Sequence, residues 1–229
     1  METLQTYVRK YWFWLIAMIG GAIPLVQLAW GLGQGNWIDP VAETTARTGS
    51  AAILMLMLSL ACTPANTLFG FKPALTARKP LGLYAFFYVC LHLLNFVGID
   101  YGFSLRAFLD DALLQKRYMI VGLAAFLLLL PLALTSTKSA MKRLGRNWKR
   151  LHQLVYVAAI LAVLHFLWLV KIDITQPTIY GVILALLLIL RLPAIRQWIS
   201  KLRPKAVQQS GARSQVAHKR PDNAPSLID

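Results

Sequence analysis

The sequence is poor in charge, in acids above all, and in cysteine. Only 14% of its 229 residues are charged, against about a quarter in a soluble domain, and 57% are hydrophobic. That combination excludes a disordered chain and argues against an ordinary soluble enzyme. The two cysteines, Cys62 and Cys90, lie in different apolar segments and offer no disulfide framework. There is no Cys-x-x-Cys pair, which argues against thiolate zinc, iron–sulfur and c-type haem sites. A Gly-rich dinucleotide fingerprint is absent, as is a Ser/His/Asp constellation. The apolar segments hold no paired carboxylates and no row of charges of the kind a proton pump or voltage sensor needs. Paired broken helices, the mark of a small transporter, are missing too.

What is present is a series of long apolar runs. Six of them approach the roughly 20 residues that a helix needs to cross a bilayer core of about 30 Å. They fall near 12–32, 46–63, 81–98, 118–135, 152–170 and 178–197. The formal charge of +15 is distributed by position. Nineteen of the 24 basic residues lie on alternate connections, including Arg9, Lys72, Arg78, the cluster Lys138–Arg150, and Arg191 onward. The opposite connections hold six of the nine acids: Asp39, Glu43, Asp100, Asp110, Asp111 and Asp173. This is the asymmetry of a membrane protein with basic loops in the cytoplasm, so both termini are expected inside. It is not the continuous basic stripe of a nucleic-acid binder, and no nucleic-acid partner is expected. The fold class that follows is an all-α integral membrane protein of six transmembrane helices, with the lipid bilayer as its surroundings.

Aromatic residues bracket the runs as an interfacial belt, with Trp12, Trp14, Trp148 and Trp198 on the inner edge. Trp30, Trp37, Tyr101, Tyr118, Trp168 and Tyr180 mark the outer one. Residues 104–116 place Leu105, Phe108, Leu109 and Leu113 at helical spacing beside charges, which predicts a short helix lying on the outer surface. Pro24 and Pro131 fall inside runs one and four and are expected to kink them. The chain divides into a membrane domain over 1–203 and a polar, proline-containing tail over 204–229, expected to be disordered.

Polar side chains within the apolar runs are few, and three of them are histidines. His92 precedes the outer end of the third run by six residues, and His165 precedes that of the fifth by five. The two runs point the same way, so these imidazoles sit at equal depth. Two histidines at matched depth on neighbouring helices can clamp a haem through both axial positions, with small walls such as Ala158, Ala159, Leu161 and Ala162. Helix–helix hydrogen bonding is the bland alternative. His152 lies 13 residues before His165, about 20 Å along a helix and roughly 140° away in azimuth. It is placed for a second, inner redox centre, although structural or phosphate-binding roles fit equally well. The matching inner position on the third run is Arg78. His218 lies in the tail. The Lys138–Arg150 cluster is most simply a topology determinant.

The stretches TARKPLGLYAFFYVCLHLLNF (76–96) and PLALTSTKSAMKRLGRNWKRLHQLVYVAAILAVLHFLWLVK (131–171) resemble the ferric-reductase-like transmembrane family. Within it they are most similar to the haem-bearing membrane subunits of bacterial methionine sulfoxide reductase systems. The DPV at 39–41, RTG at 47–49 and CTPA at 62–65 fit the same resemblance, which spans roughly residues 10–200. It implies a multi-pass protein of the bacterial inner membrane with haem b between spans three and five. His92 and His165 are then the axial iron ligands, and His152 belongs to an inner site that holds a second haem or FMN. It also implies electrons from quinone or an inner flavin reductase, passed to a periplasmic molybdopterin enzyme that repairs methionine sulfoxide. On that reading no catalytic residue is expected in this chain, and catalysis on methionine sulfoxide falls to the partner. The chain departs from larger relatives at Arg78, where they carry a histidine, and it lacks their FAD/NADPH domain. A stand-alone cytochrome b type ferric or quinone reductase, and a haem-free membrane anchor, remain the alternatives.

Overall fold

A computed structural model describes residues 4–114, 116–192 and 195; the tail, His218 and Trp198 lie outside these residues. Among the described residues the regular structure is helical. The long helices are α1 (Leu4–Gln34), α2 (Pro40–Phe69) and α3 (Ala74–Asn95). A π-helical turn at Phe96–Asp100 extends α3. Then come α4 (Leu105–Leu114), α5 (Arg117–Leu134), α6 (Lys138–Leu144), α7 (Arg146–Leu151), α8 (Leu154–Leu169) and α9 (Thr175–Ile189).

Among the described residues five segments are long and apolar enough to cross a membrane: Trp12–Gln34, Pro40–Phe69, Ala74–Asp100, Arg117–Leu134 and Arg146–Leu169. The sixth run forms the shorter apolar helix α9, of 15 residues. Large apolar side chains in mid-helix point outward, among them Ile19, Val26, Leu127 and Val182, each more than half exposed. In water such a surface would drive association; against lipid it needs no cover.

Helix ends follow capping chemistry more than hydropathy. α2 begins six residues before its apolar run because the Asp39 carboxylate accepts from the Val41 and Ala42 amides, with Pro40 in the first turn. It ends at Gly70, whose left-handed backbone (φ 69°) closes the last turn. Pro64 and Pro80 are also accommodated inside helices, besides Pro24 and Pro131.

Small residues set the packing. Ala77, Ala85, Ala158 and Ala159 are essentially fully buried, so that helix backbones approach closely. A Cβ on Gly21 would lie 2.3 Å from the Tyr84 ring, so α1 rests directly on α3 there. One residue type ties the two helices together by hydrogen bonds. The Tyr84 hydroxyl donates to Met18 O, and the buried Tyr88 hydroxyl donates to Gly21 O (2.7 Å) and accepts from Leu25 N (3.1 Å). Gly21 O and Leu25 N are an i, i+4 pair on α1, beside Pro24, and the one tyrosine hydroxyl contacts both.

The short surface helix forms at Leu105–Leu114. Phe108 is buried, packed with Met119, Phe96 and Tyr101, while Leu105 and Leu109 are exposed. Asp111 fastens this segment through Lys116 Nζ (2.7 Å) and the Tyr101 hydroxyl. These two hydrogen bonds, that of Lys116 first, hold the Asp111 carboxyl below the usual carboxylate range.

Tyr88→Phe should leave Gly21 O and Leu25 N without their bridge and cost about 1–3 kcal/mol, read as a lower unfolding midpoint in detergent. The Asp111 latch contributes above the ordinary carboxylate pKa and is lost as pH falls through the depressed one. Acid-induced exposure of 101–116 to proteolysis should therefore begin at higher pH in Lys116→Met, in which the carboxyl loses its first partner.

Candidate haem site

The six carboxylates among the described residues that lie at helix ends and connections, Asp39 to Asp173, define one end of the bundle; Lys72, Arg78 and Lys138–Arg150 define the other. His92 on α3 and His165 on α8 come together in the half nearer the acidic end. Their ring centroids are 6.3 Å apart and their planes are crossed at 88°. An imidazole nitrogen bonds a metal at about 2 Å and lies about 1 Å from its ring centre, so imidazoles on opposite sides of one metal have centres about 6 Å apart. The observed separation meets that requirement.

Both rings are held in the same way. His92 Nδ1 lies 2.9 Å from Thr45 O on α2, and His165 Nδ1 lies 2.7 Å from Tyr118 O on α5. A carbonyl only accepts, so each Nδ1 carries the proton and each Nε2 is left as a lone pair. A carbonyl bonded to the far ring nitrogen prepares a histidine for a metal in this way. Asn95 strengthens the first contact by donating to Val41 O and to Thr45 Oγ1.

Each carbonyl is followed, four residues on, by a glycine. A Cβ on Gly49 would lie 3.1 Å from His92 Nδ1, and one on Gly122 would lie 2.7 Å from His165 Nδ1. In an α-helix the residue at i+4 overhangs the carbonyl of residue i. Glycine at that position clears the approach, and the imidazole takes the second lone pair of a carbonyl already in the ladder. Thr45/Gly49 and Tyr118/Gly122 are thus two copies of one arrangement.

Among the described residues no group of three or more His, Cys, Asp or Glu side chains could hold a metal ion. Two imidazoles cannot satisfy a metal by themselves. They suit one that brings its own in-plane ligands, as haem iron does. The donor set, the tautomers and the spacing therefore all fit haem.

His152 stands apart, at the basic end. The helix breaks at His152–Gln153, between α7 and α8, so the straight-helix azimuth expected between His152 and His165 does not apply. Its ring stacks on Trp148 at 4.0 Å, and its Nδ1 faces Trp148 O at 3.1 Å. Its Nε2 is buried without a hydrogen-bond partner. Arg78 lies near enough for its charge to act on His152.

The glycines were the residues that hydropathy did not single out. Their one visible signal is a glycine inside an apolar helix, of which Gly49 in the RTG triplet is an example. Gly122→Ala should displace His165 and lower haem occupancy severalfold in purified protein. Gly49→Ala, with the more tolerable 3.1 Å contact, should have a smaller effect. Haem per chain measures both.

Residues 48–163 match the family described as Ferric reductase like transmembrane component, a stretch that contains His92, His152, most of α2 and the whole of α3 to α7. The chain is 47% identical over 161 residues to the protein-methionine-sulfoxide reductase heme-binding subunit MsrQ of Rhodospirillum rubrum, covering 69% of this chain and 77% of that one. It is 50% identical over 151 residues to the MsrQ of Xanthomonas axonopodis pv. citri, covering 66% and 68%. It is 48% identical over 164 residues to that of Xanthomonas euvesicatoria pv. vesicatoria, covering 69% and 74%. The chain belongs to the MsrQ family of heme-binding subunits of protein-methionine-sulfoxide reductase, within the ferric-reductase-like transmembrane proteins.

Proposed function

We propose that this chain carries electrons across a bacterial inner membrane to a periplasmic molybdopterin reductase that repairs methionine sulfoxide in oxidised proteins. The observation that carries the reading is the His92/His165 pair, with both Nε2 lone pairs free and ring centres 6.3 Å apart. In this reading α9 is the sixth span, both termini are cytoplasmic, and a haem b lies between α3 and α8. The haem supplies reversible one-electron transfer. The chain supplies its axial ligands and a low-dielectric wall.

The acidic end then faces the periplasm. Its exposed apolar residues include Ile38, Ile99, Phe103 and Ile172, and the segments 99–117 and 171–177 are where the partner would dock. Reduction of one sulfoxide consumes two electrons and two protons and releases water, so two electrons must cross the subunit for each turnover. Quinone or a cytosolic flavin reductase is the donor at the basic end. His152, with its buried free Nε2, belongs to the centre that receives those electrons, a second haem or FMN.

His92→Ala and His165→Ala should each abolish the dithionite-reduced minus oxidised b-type signal of the pair and stop electron delivery to the purified periplasmic reductase. His152→Ala should leave that signal and slow its reduction from the donor side. A His92→Ala or His165→Ala variant with an intact spectrum would sink the reading. A wild-type protein free of haem after haem-supplemented expression would leave only the membrane anchor.

A further inference from the structure

Among the described residues, three buried side-chain polar atoms have no hydrogen-bond partner: Thr63 Oγ1, His152 Nε2 and Arg191 Nε. All three lie at the basic end. Unsatisfied buried polar groups are few in folded proteins and each calls for an explanation. His152 Nε2 is accounted for above; the other two are not.

Arg191 follows α9 and turns inward. Its Nη1 donates to the Tyr156 hydroxyl on α8 (2.5 Å) and its Nη2 to Leu60 O on α2 (2.6 Å), and its guanidinium lies 5.1 Å from the Tyr156 ring centre. These acceptors are neutral. Every ion pair among the described residues uses Glu43, Asp110 or Asp111, and the acids Asp39, Asp100 and Asp173 also belong to the opposite end. Among the described residues Arg191, which is part-buried, therefore has no counterion. A second cation aggravates this, since the charge of Arg78 reaches Arg191, Cys62 and His152 alike. Arg78 is held in place through its carbonyl, which accepts from Ser59 Oγ at 2.8 Å, and its side chain is exposed. Thr63 lies three residues after Leu60, on the same face of α2.

Burying an ionised group without a counter-charge is strongly disfavoured, and arginine pairs best with planar or tetrahedral oxyanions. Two guanidiniums with no acid between them match a ligand bearing two negative charges. A phosphate monoester carries about that charge at neutral pH, and so do the two propionates of a haem.

We propose that Arg78, Arg191 and Thr63 form an oxyanion seat at the basic end, which binds the doubly negative acidic group of the redox cofactor beside His152. Arg191 and the Thr63 hydroxyl donate from inside the bundle, and Arg78 closes the exposed side. The proposal rests on the reading of His152 as part of a second redox centre.

The test uses full-length protein in detergent, wild type and Arg191→Gln, and reads FMN affinity, riboflavin affinity and haem per chain. Wild type should bind FMN at least tenfold more tightly than riboflavin, with Arg191→Gln losing that preference, if the acid is a phosphate. Alternatively, Arg191→Gln should shed one of two haems while the His92/His165 signal persists, if the acid is a propionate pair. Thr63→Val, which keeps every charge, should weaken the same ligand severalfold, and it serves should Arg191→Gln fail to fold. Wild-type flavin affinities and haem content in Arg191→Gln and Thr63→Val would overturn the seat. Loss of the reading of His92 and His165 would show separately, as wild-type protein with no b-type signal at all.

Discussion

A carbonyl oxygen already engaged in one helix accepts a second hydrogen bond from a histidine on another. The site depends on that constraint. An imidazole inside an apolar bundle has no water to satisfy it, so a neighbouring backbone must, and here it does so twice. Thr45 O and Tyr118 O fix each ring by Nδ1, and the fixed proton decides the tautomer that leaves Nε2 available. The glycines at Gly49 and Gly122 follow from the same requirement, because a Cβ at either position would occupy the approach. The two histidine helices are thereby registered to two others, α3 to α2 and α8 to α5. The pairing of four helices and the fixing of two imidazoles are one arrangement.

The rest of the bundle is consistent with lipid as solvent. Without a hydrophobic force between helices, close approach and internal hydrogen bonds do the holding. Alanines carry the first, and Tyr84 and Tyr88 the second, where α1 meets α3. Charge is kept to the ends. The acidic end is neutralised internally by Glu43 with Arg47 and Asp111 with Lys116. Among the described residues the basic end holds no acid.

Much of this was legible in the sequence, for identifiable reasons. Hydropathy and basic asymmetry located the helices, and a fixed rise per residue put His92 and His165 at one depth. The structure brings those two rings together. Spacing also located α4, in which Phe108 is buried against Met119, Phe96 and Tyr101 while Leu105 and Leu109 are exposed. Helix ends were less legible: α2 runs well past its apolar core at both ends, under the control of Asp39 and Gly70. The break at His152–Gln153 has no proline or glycine to announce it. The glycine–carbonyl pairs could not be read at all, since they depend on the register between helices. Arg191 was one basic residue in a basic run, and nothing in one dimension marks the one that turns inward.

The central claim is that His92 and His165 grip one iron from opposite sides with their ring planes crossed. Low-temperature electron paramagnetic resonance of the oxidised protein measures this directly, because crossed axial imidazoles leave two iron d orbitals nearly degenerate. The observed 88° between planes predicts a highly anisotropic low-spin ferric signal with a single dominant low-field feature. A well-resolved rhombic signal of parallel imidazoles, or a high-spin signal with an open axial position, would contradict the account.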